Sequence, residues 1–574
     1  VVLMIGVSVL ELVGIGSVFP LIAILVDPER MRTLPVVSDI YAGLQPISPQ
    51  AFLLLMCAVV AILVAAKVTA TGFSYRWQFK FAYDVQRALS MRLLQTYLFA
   101  PYRFYLNKNT ADLLKNIQSE IPALANGALI PSLQVMGETI VFVAVVGLLI
   151  VINPTLTAAL IGAFGILIPV MLRFTRIRTE RYAAQRRIAV GEMYRSASAA
   201  LSGFKDLKVF GRQQDFIERY EDACERYCQS NAFIMLSAQI PRLVIELIVF
   251  VGFIGVLAYA AYWTGDARNA LPLMGLYAIA TARLMPSLSK IVAGIVQIRY
   301  YRGVLKFLPS MFASPGAESH VTLQSDVEAM PFEREIRVRD LTYRYPASER
   351  IALDGISLTI SKGTTVALVG PSGSGKTTLA DVILGLLDEY QGTIEIDGIA
   401  LSKEAVASWQ KHIGYVPQSV YLADDTLLRN IAFGVPDAQI DRAAAEHALV
   451  IAQLTETVAS LPQGLDTVIG ERGIRLSGGQ RQRIGIARAL YGDPDVLVLD
   501  EATSALDGLT EHEIAQEIAL LAGSKTIIVI AHRLSTIKQC ESIFLLEDGR
   551  ITASGTYDQL VREGGFVARV AAHG

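Results

Sequence analysis

Stretches of about 20 predominantly apolar residues recur along the first 308 residues of the chain and then stop. As a helix, a run of that length matches the hydrocarbon thickness of a bilayer. In lipid only a helix or a closed barrel satisfies its own backbone. Spans are placed at 1–26, 51–74, 125–152, 154–173, 232–263 and 271–298. Thr139 to Leu172 carries no charge, and Asn153-Pro154 breaks it into a hairpin of two helices. This half lifts the hydrophobic share of the 574 residues to 52%. Beyond 308 the sequence reads as a soluble α/β domain.

Six spans leave both ends of the membrane half on one side, and the loop charges say which. Residues 75–124 hold seven Lys/Arg (Arg76, Lys80, Arg87, Arg92, Arg103, Lys108 and Lys115), and 174–231 hold eleven, from Arg176 to Arg226. The opposite loops hold only Arg30, Arg32 and Arg268. The positive-inside rule makes the long loops cytoplasmic, and the soluble half with them. A formal net charge of −2 gives no global basic field for nucleic acid. The four cysteines form no zinc pattern or disulfide framework; Cys224 and Cys228, one helical turn apart, read as an inert pair. The chain opens at Val1, already inside an apolar run, so preceding residues are expected, and a cleaved signal peptide is not.

The long loops are helical in pattern. In "FKDLKVFGRQQDFIERYEDACERY", Phe204, Leu207, Phe210, Phe216, Ile217 and Tyr220 fall close to helical spacing. Periodicity alone suits a solvated extension and a docking element equally.

The soluble half carries phosphate chemistry. "VALVGPSGSGKTTLADVILGL" places Gly370-x4-Gly375-Lys376-Thr377 between a strand pattern and a helix pattern, the context of a P-loop. Gly370, Ser372, Gly373, Gly375 and Thr378 belong to a loop whose backbone N–H groups curl round phosphates. Lys376 offers a point charge to them, and Thr377 a hydroxyl to Mg²⁺. "DVLVLDEATSALD" supplies a second buried strand ending in Asp500, suited to Mg²⁺, and Glu501, the candidate general base. "RLSGGQRQRIGIARAL" opens another helix at Ser477-Gly478-Gly479, a second anion site that suits a nucleotide held by another subunit.

With these motifs in place, the sequence resembles an ABC transporter. "LSGGQ" (476–480) is similar to the signature motif, with Ser477 and Gly479 in its phosphate-binding positions. Tyr345 in "LTYRYP" resembles the A-loop aromatic that stacks on adenine, and Gln418 in "GYVPQS" the Q-loop glutamine that contacts Mg²⁺ and the attacking water. "TVIGERG" (467–473) resembles the exporter X-loop, "SALD" (504–507) the D-loop with Asp507, and His532 in "IAHRLS" the switch histidine at the γ-phosphate. The resemblance covers the whole chain. It implies a membrane α-helical six-span exporter domain (1–310), a linker (311–333) and an α/β P-loop ABC ATPase domain (334–574). It also implies ATP and Mg²⁺ as cofactors and a second copy as partner, the homodimer holding two composite ATP sites. "NKNTADLLKNI" (107–117), with Ala111 where many relatives have glycine, and "SGFKDLKVFGR" (202–212) resemble the two coupling helices.

One feature of the spans asks for a ligand. Lys67, Arg242 and Arg283 lie within apolar segments, as do Glu11, Glu138 and Glu246. A lysine at mid-bilayer costs about 2.5 to 3.5 kcal/mol on insertion scales. Arg242 and Glu246, four apart, are placed to pair, and Lys67 to snorkel. The other account is a cationic cavity that takes an anionic substrate, since charges within spans mark substrate paths. "LELVGIGSVFPLIAIL" (10–25), the outer segment 27–50 and the Lys/Arg placement resemble bacterial lipid-linked oligosaccharide flippases. Their short external helix would fall within 35–46. That resemblance implies a polyprenyl-pyrophosphate-linked glycan as cargo in a bacterial inner membrane. Export of lipid A-like lipids, peptides or drugs, and a membrane-anchored regulatory ATPase, are the alternatives.

Overall fold

The computed structural model describes residues 2–26, 38–39, 48–152, 154–259, 267–313, 328–346, 348–470, 473–501, 508–531, 534–564 and 566–573. The segment expected to hold an external helix (35–46) lies almost entirely outside them. The chain forms two compact units, Val1–Ala100 with Phe104–Ser319, and Pro101–Arg103 with His320–Gly574.

The first unit is helical throughout its described residues. Long helices α1 (Val2–Val26) and α2 (Pro49–Leu98) are followed by short α3 (Tyr102–Leu106) and α4 (Thr110–Lys115). The chain then continues through two π-helical stretches into α5 (Ile130–Ile152). α6 (Pro154–Ser202), short α7 (Phe204–Phe210), α8 (Gln213–Tyr259) and α9 (Ala267–Phe312) complete it. The described residues of each predicted span lie on a helix. Among the described residues, Gln50–Leu98, Thr110–Val151 and Gln213–Val251 are long and apolar enough to cross a membrane.

α2 starts where Ser48 caps it, accepting from Ala51 N, with Pro49 at its first turn. Its 50 residues rise about 75 Å, more than twice a hydrocarbon core, so its charged C-terminal half extends beyond the membrane. Leu54, Ile62 and Val68 are exposed on it, as lipid-facing residues are. α1 packs against α2, α5 and α9, which brings charges from four spans together. α7 ends at Gly211 in a left-handed conformation, and leaves Phe204, Val209 and Phe210 exposed.

The second unit has two sheets. β1 (Glu335–Arg344), β2 (Ile351–Ser361), β4 (Gln391–Ile396) and β5 (Ile399–Ala400) form an antiparallel sheet in the order β2-β1-β4-β5. The central sheet runs β10-β9-β3-β8-β7-β6. It comprises β3 (Thr365–Val369), β6 (Ile413–Val416), β7 (Val496–Asp500), β8 (Thr526–Ile530), β9 (Ser542–Glu547) and β10 (Arg550–Gly555). All but β10 run parallel. β3, β7 and β8 are buried along their whole length, which explains their unbroken apolar sequences. Since β8 lies between β3 and β7, both phosphate motifs emerge at the carboxyl edge of the sheet, where open α/β sheets bind ligands. The unit also takes in Pro101–Arg103, so that α3 begins in it. There Arg103 pairs with Asp388 and Glu389.

Candidate functional site

The loop after β3 is shaped to admit little besides backbone and anion. Gly370 has φ of +150°, and a Cβ there would meet Leu546 O at 2.0 Å. Gly375, at φ +104°, caps the helix Lys376–Ile383, and its Cβ would meet Ala352 O at 2.7 Å. Lys376 Nζ donates to the carbonyls of Gly370 and Pro371, each at 2.8 Å, so the lysine lies folded over the loop. Burial pushes its ammonium pKa down, against the pull of Glu501 and Asp500. The buried Ser374 hydroxyl has no hydrogen-bond partner, while Ser372, Gly373 and Thr377 are exposed at the mouth. A bent loop, a desolvated cation and an orphaned hydroxyl fit a polyphosphate.

Facing the loop across β8 stands the end of β7. Burial and the neighbouring Glu501 push the Asp500 carboxyl up, opposed by Lys376. Glu501 follows in a left-handed backbone, φ +48°, a strained conformation for a residue with a Cβ. Its amide donates to Ile530 O at 3.2 Å, and its carbonyl accepts from Gln482 at 3.3 Å. Its carboxylate meets the Q-loop, where Gln418 Nε2 donates to Glu501 Oε2 at 2.7 Å. Among the described residues no cluster of three metal-binding side chains exists. Thr377 and Asp500 suit Mg²⁺ shared with phosphate oxygens, the usual way Mg²⁺ is held in such sites.

Tyr345, just past β1, bonds Thr378 Oγ1 at 3.1 Å and meets Tyr343 edge-on. It is thereby tied to the phosphate loop with its ring half-exposed. Ser477 opens the helix α10 (Gly478–Leu490) with a capping box: its hydroxyl accepts from Gln480 N, and the Gln480 side chain accepts from Ser477 N. Among the described residues no hydrogen bond joins Ser477 or Gly479 to the 370–378 loop. Arg488, in the last turn of that helix, donates to the carbonyls of Tyr421 and Asn430 at 2.8 and 2.7 Å. This fastens the signature helix to the segment that carries Gln418. Asp507 and His532 lie outside the described residues.

In the first unit, Lys67 and Arg283 are not bare cations. Glu11 Oε1 accepts from Lys67 Nζ at 2.7 Å and from Arg283 Nε at 2.6 Å. Arg283 Nη2 also lies 3.7 Å from Glu138. Glu138 in turn accepts from Lys290 at 2.7 Å and Ser287 at 2.6 Å, and Lys290 reaches the Tyr75 hydroxyl at 3.2 Å. The result is an alternating chain of charges, Lys67–Glu11–Arg283–Glu138–Lys290. Sequence inspection missed Lys290, although it stands two helical turns after Arg283 on the same face. Arg242 does not join this cluster: it is exposed on α8 and, among the described residues, forms no ion pair with Glu246 or any other acid.

The chain matches a family model described as "ABC transporter" over residues 353–504, and one described as "ABC transporter transmembrane region" over 21–279. It is similar to the ATP-dependent lipid A-core flippase of Pseudomonas fluorescens (strain Pf0-1), 31% identical over 506 residues, 85% of this chain and 80% of that protein. The flippase of the same name from Aromatoleum aromaticum is 33% identical over 500 residues, 84% and 79% of the two chains. A solved structure described as that of a bacterial Atm1-family ABC exporter with ATP bound matches at TM-score 0.78 and 26% identity, covering 100% of this chain and 98% of that one.

Proposed function

The chain belongs to the ABC transporter family, as an exporter half-transporter that hydrolyses ATP with Mg²⁺, and from that premise we propose that it flips a lipid with an anionic, phosphorylated saccharide headgroup. The observation that carries this reading is the intramembrane cluster. Three cations, Lys67, Arg283 and Lys290, face two carboxylates, Glu11 and Glu138. The surplus of one positive charge, in a region where an unpaired charge is costly, suits an anion brought by the substrate. Lipid A-core is the cargo named for the relatives in Pseudomonas fluorescens and Aromatoleum aromaticum. A polyprenyl-pyrophosphate-linked oligosaccharide is the second reading, supported by the 10–25 pattern.

In this proposal two copies pair in a bacterial inner membrane, with the nucleotide-binding units in the cytoplasm. Bound MgATP supplies the phosphoanhydride whose hydrolysis drives the cycle. Lys376 leaves the loop carbonyls to bind phosphate, and Tyr345 offers its ring to adenine. Thr377 and Asp500 would hold Mg²⁺, Glu501 would accept the proton of the attacking water and Gln418 would orient it, with the γ-phosphate role that the sequence resemblance gives His532 beside them. Ser477 and Gly479 would complete the site of the second copy, together with the D-loop role that the sequence resemblance gives Asp507.

The test is flipping in proteoliposomes of two labelled lipids, lipid A-core and a polyprenyl-pyrophosphate glycan, by wild type and Arg283→Ala. ATP-dependent flipping of either by wild type, lost in the variant, supports the proposal and selects the cargo. Equal transport of both lipids by Arg283→Ala removes the cluster from the substrate path.

A further inference from the structure

Glu11 holds an unusual place in this cluster. Its side chain is 2% exposed, while those of Lys67 and Arg283 are 28% and 23% exposed. The acid therefore stands behind the two cations. One oxygen, Oε1, accepts from both, and Oε2 is buried with no hydrogen-bond partner. Lys67 spends one of its three N–H donors on Glu11, and Arg283 spends Nε, so donors remain on both for a second anion. Seen from the open side, the arrangement is a pair of cations from two different spans, tied by a recessed counter-ion.

The formal charges are instructive. Lys67 and Arg283 with Glu11 sum to +1, and Lys290 with Glu138 sums to zero. Without Glu11 the same five positions would present +2. We propose that Glu11 sets the charge to which the cluster is matched, making it a specificity-determining residue that selects headgroups presenting one negative charge to each chain. The inference rests on the anionic-headgroup reading above. Glu11 acts through Lys67 and Arg283 and makes no contact with the lipid itself, so its role is to fix both the position and the sum of charge.

The experiment uses the full chain in phosphatidylcholine nanodiscs and measures stimulation of ATPase by added phosphatidylglycerol, with one charge, or phosphatidylinositol 4,5-bisphosphate, with several. For each protein the readout is the ratio of the two half-maximal concentrations. Glu11→Gln shifts this ratio about fivefold toward the more highly charged lipid, the effect of one added charge near an anion. Glu11→Asp keeps the wild-type ratio. The double variant Glu11→Gln/Lys67→Gln, again at +1, returns to it although the contact is gone, which a merely structural role does not predict. An unchanged ratio in Glu11→Gln, or no return in the double variant, overturns the inference while the anionic-headgroup reading stands. Should Glu11→Gln alone fail to fold, Lys67→Gln, which sums to zero, is compared with Glu11→Gln/Lys67→Gln at +1: a ratio shifted about fivefold toward the more highly charged lipid in the double variant supports the inference, and equal ratios overturn it. Wild type that responds to neither anionic lipid overturns both.

Discussion

Asp381 offers a quantitative test of the electrostatics around the phosphate loop. It lies on the helix that begins at Lys376, buried, and burial together with the Asp500 charge pushes its carboxyl up to about 6 from an ordinary 3.8. A group whose folded pKa is raised gives stability that is complete below the unfolded value and lost as pH rises through the folded one. The affected window is therefore pH 3.8 to about 6. A shift of about 2 units corresponds to roughly 3 kcal/mol, present as a penalty at neutral pH. Asp381→Asn keeps the shape and removes the charge. Nucleotide-free protein carrying it should unfold at a temperature higher by on the order of 5 °C at pH 7.5. At pH 5 about half the gain should remain, because wild-type Asp381 is by then largely protonated when folded. The assay is thermal unfolding followed by tryptophan fluorescence, to which the fully buried Trp409 reports from this unit. A variant no more stable than wild type at pH 7.5, or a gain that does not shrink at pH 5, would refute the argument.

Three further outcomes follow from the site geometry. Glu501→Gln should bind ATP with near wild-type affinity and lose about 10²- to 10⁴-fold in turnover, the range for removal of a general base; steady-state phosphate release checks it. Tyr345→Ala should raise the KM for ATP more than it lowers kcat, because the role proposed for the ring is stacking on adenine rather than proton transfer. Ser477→Ala removes one half of the capping box and should cost about 1 kcal/mol of local stability. Its ATPase rate should fall in the same variant, and Ser477→Thr, which keeps the hydroxyl, should restore it.

How much of this was legible in the sequence depended on the range of the interaction. The spans and the phosphate motifs are local patterns, apolar runs and fixed spacings, and the helices and the β3 and β7 strand ends lie where those patterns place them. The membrane charges are different. The intrahelical partner suggested for Arg242 was Glu246, four residues on, and no such pair forms among the described residues. The pairs that do form join residues 56, 152 and 272 positions apart. No periodicity within one helix reveals them, because they follow from α1 packing against α2, α5 and α9. The bond from Gln418 to Glu501 was hidden for the same reason, as it spans 83 positions across neighbouring strands.

Pairing also changes what the charges mean. A lone lysine in a span asks for an explanation, and the counter-ion Glu11 supplies only part of one. Stability alone would be served as well or better by apolar side chains of similar volume, since buried ion pairs seldom recover the cost of leaving water. Five charges and a tyrosine hydroxyl have instead been drawn into the first unit from four spans. Lys290, with its side chain 46% exposed, is the most open of the cations, while the two acids are buried behind their partners. An arrangement with cations toward the open side and carboxylates recessed has a direction that a purely structural network does not need. It fits a surface that meets an anion, with the carboxylates limiting how much negative charge it accepts.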